Sequence, residues 1–204
     1  MMAKVCGLTD PGDLERTLAA GADLVGFLHH PASPRHCPDL ALARRARDRA
    51  VLVAAVPDST ALEPLLEACA ASWVQPYLPA SRRPAALRRL REQGLKVLLP
   101  WADEPGQEPL EADLYLWETG AAATGLLGGS GRAHPMAFPP PGPFLLAGGL
   151  DGGLLAARLE AMPPAARARC RGFDAASRLE SAPGRKDSVL VETFVRRAHA
   201  LENP

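Results

Sequence analysis

Lys4-Val5-Cys6-Gly7-Leu8-Thr9 decides how the rest of the chain is read. A short apolar strand runs into the core, and a thiol stands where it ends. Gly7 lets the backbone turn, and Thr9 or Asp10 can cap a helix that begins with Pro11. Asp13 falls in the first turn, where a carboxylate suits the helix dipole. The stretch predicts a nucleophilic or basic side chain at the carboxyl end of a strand, where parallel α/β folds keep their active sites. The same six residues also fit a buried structural cysteine, because free Cys packs as a small hydrophobe.

Outward from this point, strand-like and helix-like segments alternate to the end of the 204-residue chain. Residues 13–20 have helical spacing, with Leu14, Leu18 and Ala19 on one face and Gly21 as the stop. Strand two covers 23–28, and a loop from His29 to His36 carries Ser33-Pro34-Arg35. A helix over 40–50 has a basic outer face, strand three covers 51–56, and a helix over 60–71 tolerates Pro64 in its first turn. Strand four is short, over 73–75. An amphipathic helix over 84–93 leads through Gly94 to strand five, over 96–99. Residues 101–111 are too polar and Pro-rich for a good helix, so the fifth helix is expected to be eroded.

Strand six covers 114–117 and is closed by Glu118-Thr119. A long loop with Gly128-Gly129-Ser130-Gly131-Arg132 precedes strand seven, 144–147, which ends in Gly148-Gly149. A helix over 154–162, a weak strand eight over 172–176 and a closing helix over 188–201 complete the chain. Eight short apolar strands separated by helices predict parallel pairing with right-handed crossovers. The expected fold is α/β, a small single-domain (β/α)8 TIM barrel spanning 1–204. An open doubly wound sheet is the rival, but it calls for a nucleotide-type glycine fingerprint after strand one, and Cys6-Gly7-Leu8-Thr9 is not one.

The composition narrows the function classes. Acidic and basic residues balance at 23 each, so no long-range field draws in nucleic acid or an anionic membrane, and any anion site is local. No apolar run has the length of a membrane span, and the N-terminus lacks a signal-peptide pattern, which predicts a cytoplasmic protein. Cys6, Cys37, Cys69 and Cys170 are scattered without a close pair, against a zinc site and against a disulfide framework.

In a barrel the strand ends meet around one opening. Cys6, Arg35, Glu118, Gly148, Gly149 and Ser177 then share a rim. Loops after strands seven and eight of such barrels often seat phosphate on backbone N–H groups. Gly148-Gly149, with Asp151 at a helix start, fits that role, though a simple glycine turn fits too. The run Pro183-Gly184-Arg185-Lys186-Asp187 flanks the same side, or forms a solvated loop. A thiol and a carboxylate across a mouth with a phosphate seat suggest proton transfer on a phosphorylated sugar, one group taking a proton from carbon and the other protonating oxygen. Cys6 as a base must be a thiolate, so its pKa is expected to be drawn down by nearby positive charge or a helix N-terminus. Glu118 as an acid must hold its proton, which desolvation favours. Arg35 can bind a substrate carboxylate bidentately, or stand as an ordinary surface residue.

At this point the chain resembles the phosphoribosylanthranilate isomerase family of tryptophan biosynthesis, almost end to end. Lys4-Val5-Cys6-Gly7-Leu8-Thr9 resembles the family's opening, and Gly21 to Phe27 its second strand. Ser33-Pro34-Arg35, Val74-Gln75, Gly128-Gly129-Ser130-Gly131, Ala147-Gly148-Gly149-Leu150 and Pro183-Gly184-Arg185-Lys186-Asp187 match further motifs in order. The resemblance implies a cofactor-free Amadori rearrangement of N-(5-phosphoribosyl)anthranilate by a monomer or homodimer. A carboxylic acid after strand six protonates the furanose oxygen, and Cys6 then takes the proton from C2. Arg35 would hold the anthranilate carboxylate, and the loops around Gly149 and Ser177 the phosphate.

Four departures from the family pattern stand at the rim. Glu118 replaces an Asp, Pro76-Tyr77-Leu78 replaces Leu-His-Gly, Ala176-Ser177-Arg178 replaces Ser-Ser-Gly, and Arg132 replaces a Lys. Arg178 beside the phosphate seat either adds charge or blocks it. The departures leave room for two other readings, a diverged phosphosugar-binding barrel with little or no activity and an isomerase for a different aminated phosphosugar.

Overall fold

The computed structural model describes residues 1–119 and 135–202. The Gly128 to Arg132 loop therefore lies outside the described residues. Eight parallel strands close into one barrel in chain order. They are β1 (Met2–Cys6), β2 (Leu24–His29), β3 (Ala50–Ala55), β4 (Trp73–Tyr77), β5 (Lys96–Ala102), β6 (Leu114–Glu118), β7 (Phe144–Leu146) and β8 (Cys170–Ala175). Pairing of Lys4 with Asp174 and of Lys4 with Leu24 closes the ring on both sides of β1.

Side chains alternate across this wall with period two. One set points inward: Leu24, Leu28, Val51, Val53, Leu98, Leu114, Leu116, Leu145 and Ala147 fill the lumen with Met2, Cys6, Trp73 and Tyr77 against them. The other set, including Val5, Phe27, Leu52, Trp117, Phe144 and Phe173, packs outward against the helices. Each fully buried Phe or Leu there contributes roughly 1.5–3 kcal/mol, so this outer layer holds the barrel and the lumen can carry charge at its upper end.

The α-helices among the described residues are α1 (Pro11–Ala19), α2 (Glu63–Cys69), α3 (Arg83–Glu92), α4 (Leu155–Glu160), α5 (Pro164–Arg167) and α6 (Ser188–His199). Asp10 caps α1 by accepting from the Gly12 and Asp13 N–H groups, with Pro11 at the first position. Asp187 caps α6 in the same way. The described residues between β5 and β6 form no helix, as the polar stretch led us to expect.

The structure differs locally from the sequence reading at three places. Leu40–Arg49 is a 3₁₀ segment, not an α-helix. Its buried Leu40, Ala43 and Ala46 recur every third residue, the period of a three-residue turn, and Arg47 breaks it with φ 54°. The segment after β3 opens as 3₁₀ over Thr60–Leu62 before becoming α2. Finally, β4 runs two residues past Gln75, through Pro76 to Tyr77. Its registered pairing with β3 reaches Tyr77, while that with β5 ends at Val74. Proline lacks an N–H, so pairing is lost on one edge only.

Candidate active site

The carboxyl ends of the strands hold two adjoining clefts, both bordered by Glu118, Asp174 and Ala176. The first is lined by Cys6, Arg35, Gln75, Tyr77 and Leu116 among others. The second is lined by Thr119, Gly148, Gly149, Ser177 and Arg178 among others. The structure thus brings all seven residues singled out from the sequence to one mouth.

Cys6 occupies the last position of β1, opposite Gly26 of β2. A Cβ at Gly26 would stand 2.7 Å from the Cys6 sulfur, so the glycine makes the space in which the thiol lies. Two residues earlier on the same face, Lys4 is fully buried and its Nζ lies 2.6 Å from Asp174 Oδ1. Burial opposes the Lys4 charge, but Asp174 and Cys6 more than offset it and raise the pKa. The Cys6 thiol departs from the sequence expectation. Burial pushes its pKa up, and the lowering by Lys4 and Lys186 does not reverse this. The cations are present, but the site is too dry for them to make a thiolate outright.

Glu118, at the end of β6, is 8% exposed. Burial raises its pKa to about 7, Tyr77 pulling down and Asp174 pushing up. The Tyr77 hydroxyl donates to Glu118 Oε2 at 3.0 Å, and Gln75 Nε2 donates to the Tyr77 oxygen at 2.9 Å. Burial and the Glu118 charge keep the phenol protonated, its pKa well above the ordinary value.

Arg35 borders the cleft with its fork already engaged. Nε and Nη2 donate to the two oxygens of Glu180 at 2.7 and 2.8 Å. Glu180 also takes Lys186 Nζ at 2.8 Å, and Lys186 reaches the Ala176 carbonyl at 3.2 Å. Burial disfavours the Glu180 charge, yet Arg35 and Lys186 hold its pKa below the ordinary value. Lys186 is 7% exposed and sits in a hairpin of β9 (Glu180–Ala182) and β10 (Arg185–Lys186). Of the run from Pro183, Lys186 is thus built into the site, while Pro183 and Arg185 remain exposed.

In the second cleft, Gly148 and Gly149 have φ of 100° and 61°, the left-handed region that glycine enters without cost. Asp151 begins a turn and not a helix; α4 starts only at Leu155. Ser177 opens a 3₁₀ turn over Ser177–Leu179. Arg178 lines the cleft, half-exposed, with Nη1 at 3.4 Å from Asp151 Oδ2. Thr119 adds a buried hydroxyl with no partner among the described residues. Among those residues no group of three or more His, Cys, Asp or Glu is placed to hold a metal ion.

Asp174 and Glu180 escaped the sequence reading, and Lys4, Gln75, Tyr77 and Lys186 entered it only within quoted motifs, with no role of their own. A signal existed for Lys4 and Asp174: once Cys6 and Glu118 face inward, alternation places Lys4 inward, and parallel register then does the same for Asp174.

The fold and this mouth define a (β/α)8 barrel with a thiol and a carboxylic acid in one cleft and a glycine-lined pocket beside it. No family model matches the chain. It is 35% identical over 215 residues to the N-(5'-phosphoribosyl)anthranilate isomerase of Azorhizobium caulinodans, covering 98% of this chain and 92% of that protein. It is 33% identical over 219 residues to the enzyme of the same name from Rhodopseudomonas palustris, covering 98% of each. Among solved structures, TrpF from Jonesia denitrificans superposes with a TM-score of 0.75 at 29% identity, over 98% of this chain and 97% of that one. The chain belongs to the phosphoribosylanthranilate isomerase family.

Proposed function

We propose that the chain catalyses the Amadori rearrangement of N-(5-phosphoribosyl)anthranilate to 1-(2-carboxyphenylamino)-1-deoxyribulose 5-phosphate, in the tryptophan pathway of the cytoplasm. Glu118 gives its proton to the furanose ring oxygen, and the C1–O bond breaks to leave an iminium. The Cys6 thiolate takes the proton from C2, and the electron pair moves to neutralise the iminium as an enolamine. The enol then becomes the C2 ketone, its C1 gaining a proton, so protons balance overall. Lys4 steadies the thiolate, and burial keeps Glu118 protonated up to about pH 7.

Arg35 takes the anthranilate carboxylate with Nη1, after Glu180 has Nε and Nη2. Gly148, Gly149, Ser177 and Arg178 take the phosphate. The partner is this small phosphosugar, with no nucleic acid; no helix among the described residues is long and apolar enough to cross a membrane. The observation that carries the reading is the thiol and the buried, proton-retaining acid on one cleft. Freshly made substrate tests the reading by its fluorescence change. Turnover above spontaneous decay is expected, and decay at the spontaneous rate alone would refute it.

A further inference from the structure

We propose that Tyr77 is a positioning residue for Glu118, fixing the carboxyl so that its transferable proton faces the cleft; this rests on the function proposed above. The phenol oxygen carries one proton. Gln75 Nε2 already donates to that oxygen, so the phenol proton is left for Glu118 Oε2. An Oε2 that accepts this bond leaves the acid proton on Oε1. Tyr77 reaches past β5 to do this. Ala102, registered beside Glu118, is small and leaves the space.

The contact exists because β4 continues through Pro76, which brings Tyr77 to the same inward face as Gln75. A Glu side chain has one more torsion than Asp, and without a brace its carboxyl samples several positions over the sugar. A misplaced group of this kind can cost up to about 10²-fold in rate. Tyr77 thus answers the longer acid, and neither residue explains the other's presence in the sequence read alone. The phenol and Glu118 line one cleft together with Cys6 and Gln75. Lys4 and Asp174 act on Glu118 from β1 and β8.

Tyr77→Phe removes only the hydroxyl. It is expected to lower kcat about tenfold, with KM changing by less than about twofold. Carboxyl titration of ¹³C-labelled Glu118, followed by NMR, should move upward from about 7, because a hydrogen bond that favours the anion is gone. In a Glu118→Asp background the shorter acid no longer reaches the phenol, and the same Tyr77→Phe change should cost nothing further in kcat. Gln75→Met leaves the phenol in place but frees its proton, and should move both readouts the same way by less.

A role confined to packing would instead lower the melting temperature equally in both backgrounds and leave the titration where it was. Turnover by the wild type with kcat and titration unmoved in Tyr77→Phe overturns this proposal alone. No wild-type turnover overturns the proposed function, and this proposal falls with it.

Discussion

The two clefts at the mouth are made of different material. Around Cys6 and Glu118 the walls are buried side chains most of whose polar groups are already paired, Tyr77 with Glu118, Lys4 with Asp174, and Arg35 and Lys186 with Glu180, while Gln75 Oε1 has no partner among the described residues. Around Gly148 and Arg178 the wall is largely backbone, and the Arg178–Asp151 ion pair there is partly exposed at 3.4 Å. Proton transfer needs groups whose protonation is set before substrate arrives, and only a dry, crowded site sets it. A phosphate needs N–H groups and a cation that can move to meet it. On the proposed function, the neighbouring clefts divide these demands between them.

The largest expected effect tests the dry cleft. Cys6→Ala should lower kcat on the order of 10³-fold, the usual worth of a general base. The pH profile sharpens the point. Glu118 titrates near 7 and the thiol above its ordinary value, so the working state, Glu118 protonated and Cys6 ionised, is a minor tautomer of the singly protonated pair. A plot of kcat/KM should therefore rise through about pH 7 and fall only beyond the raised thiol pKa. A Cys6→Ala enzyme with undiminished kcat would leave the dry cleft without its proposed base.

The cost of keeping that cleft dry is measurable as stability. Glu118 holds its proton more tightly folded than unfolded, so folding stability is greatest below the unfolded value of 4.5 and declines until pH passes about 7. At about 1.4 kcal/mol for each pH unit, the loss is on the order of 3 kcal/mol. Glu118→Gln cannot ionise and escapes it. Its melting temperature should match the wild type near pH 4 and exceed it at pH 8. Parallel curves for the two proteins across this range would mean that Glu118 is solvated, and the contrast between the clefts would vanish.

These two materials also explain what was legible in the sequence. The barrel followed from apolar strands at regular intervals, because an outer layer such as Phe27, Phe144 and Phe173 must repeat with the strands. Gly148-Gly149 was legible because a left-handed backbone leaves a glycine in the sequence. Tyr77 was not, for its role depends on a proline-containing strand running two residues further than propensity suggests. The Glu180 clamp on Arg35 joins residues 145 apart in sequence, and no local pattern records it. The Cys6 pKa was misjudged because charge is visible in a sequence and burial is not.

The smallest effect falls on the open cleft and concerns Arg178, whose position beside Gly149 and Ser177 allowed either added charge or obstruction. Its pairing with Asp151 at 3.4 Å is loose and largely in water, so such a pair is worth little by itself. The guanidinium can leave a single carboxylate for a doubly charged phosphate at small cost and gain charge-assisted hydrogen bonds there. Arg178→Ala should then raise KM about tenfold, with kcat little changed, since the contact forms equally with substrate and transition state. The increase should shrink as salt is added, because the cation is half-exposed. Were Arg178 an obstruction, the same substitution would lower KM and inorganic phosphate would inhibit the variant more strongly than the wild type. A KM that falls therefore removes Arg178 from the phosphate's ligands and leaves the open cleft to backbone alone.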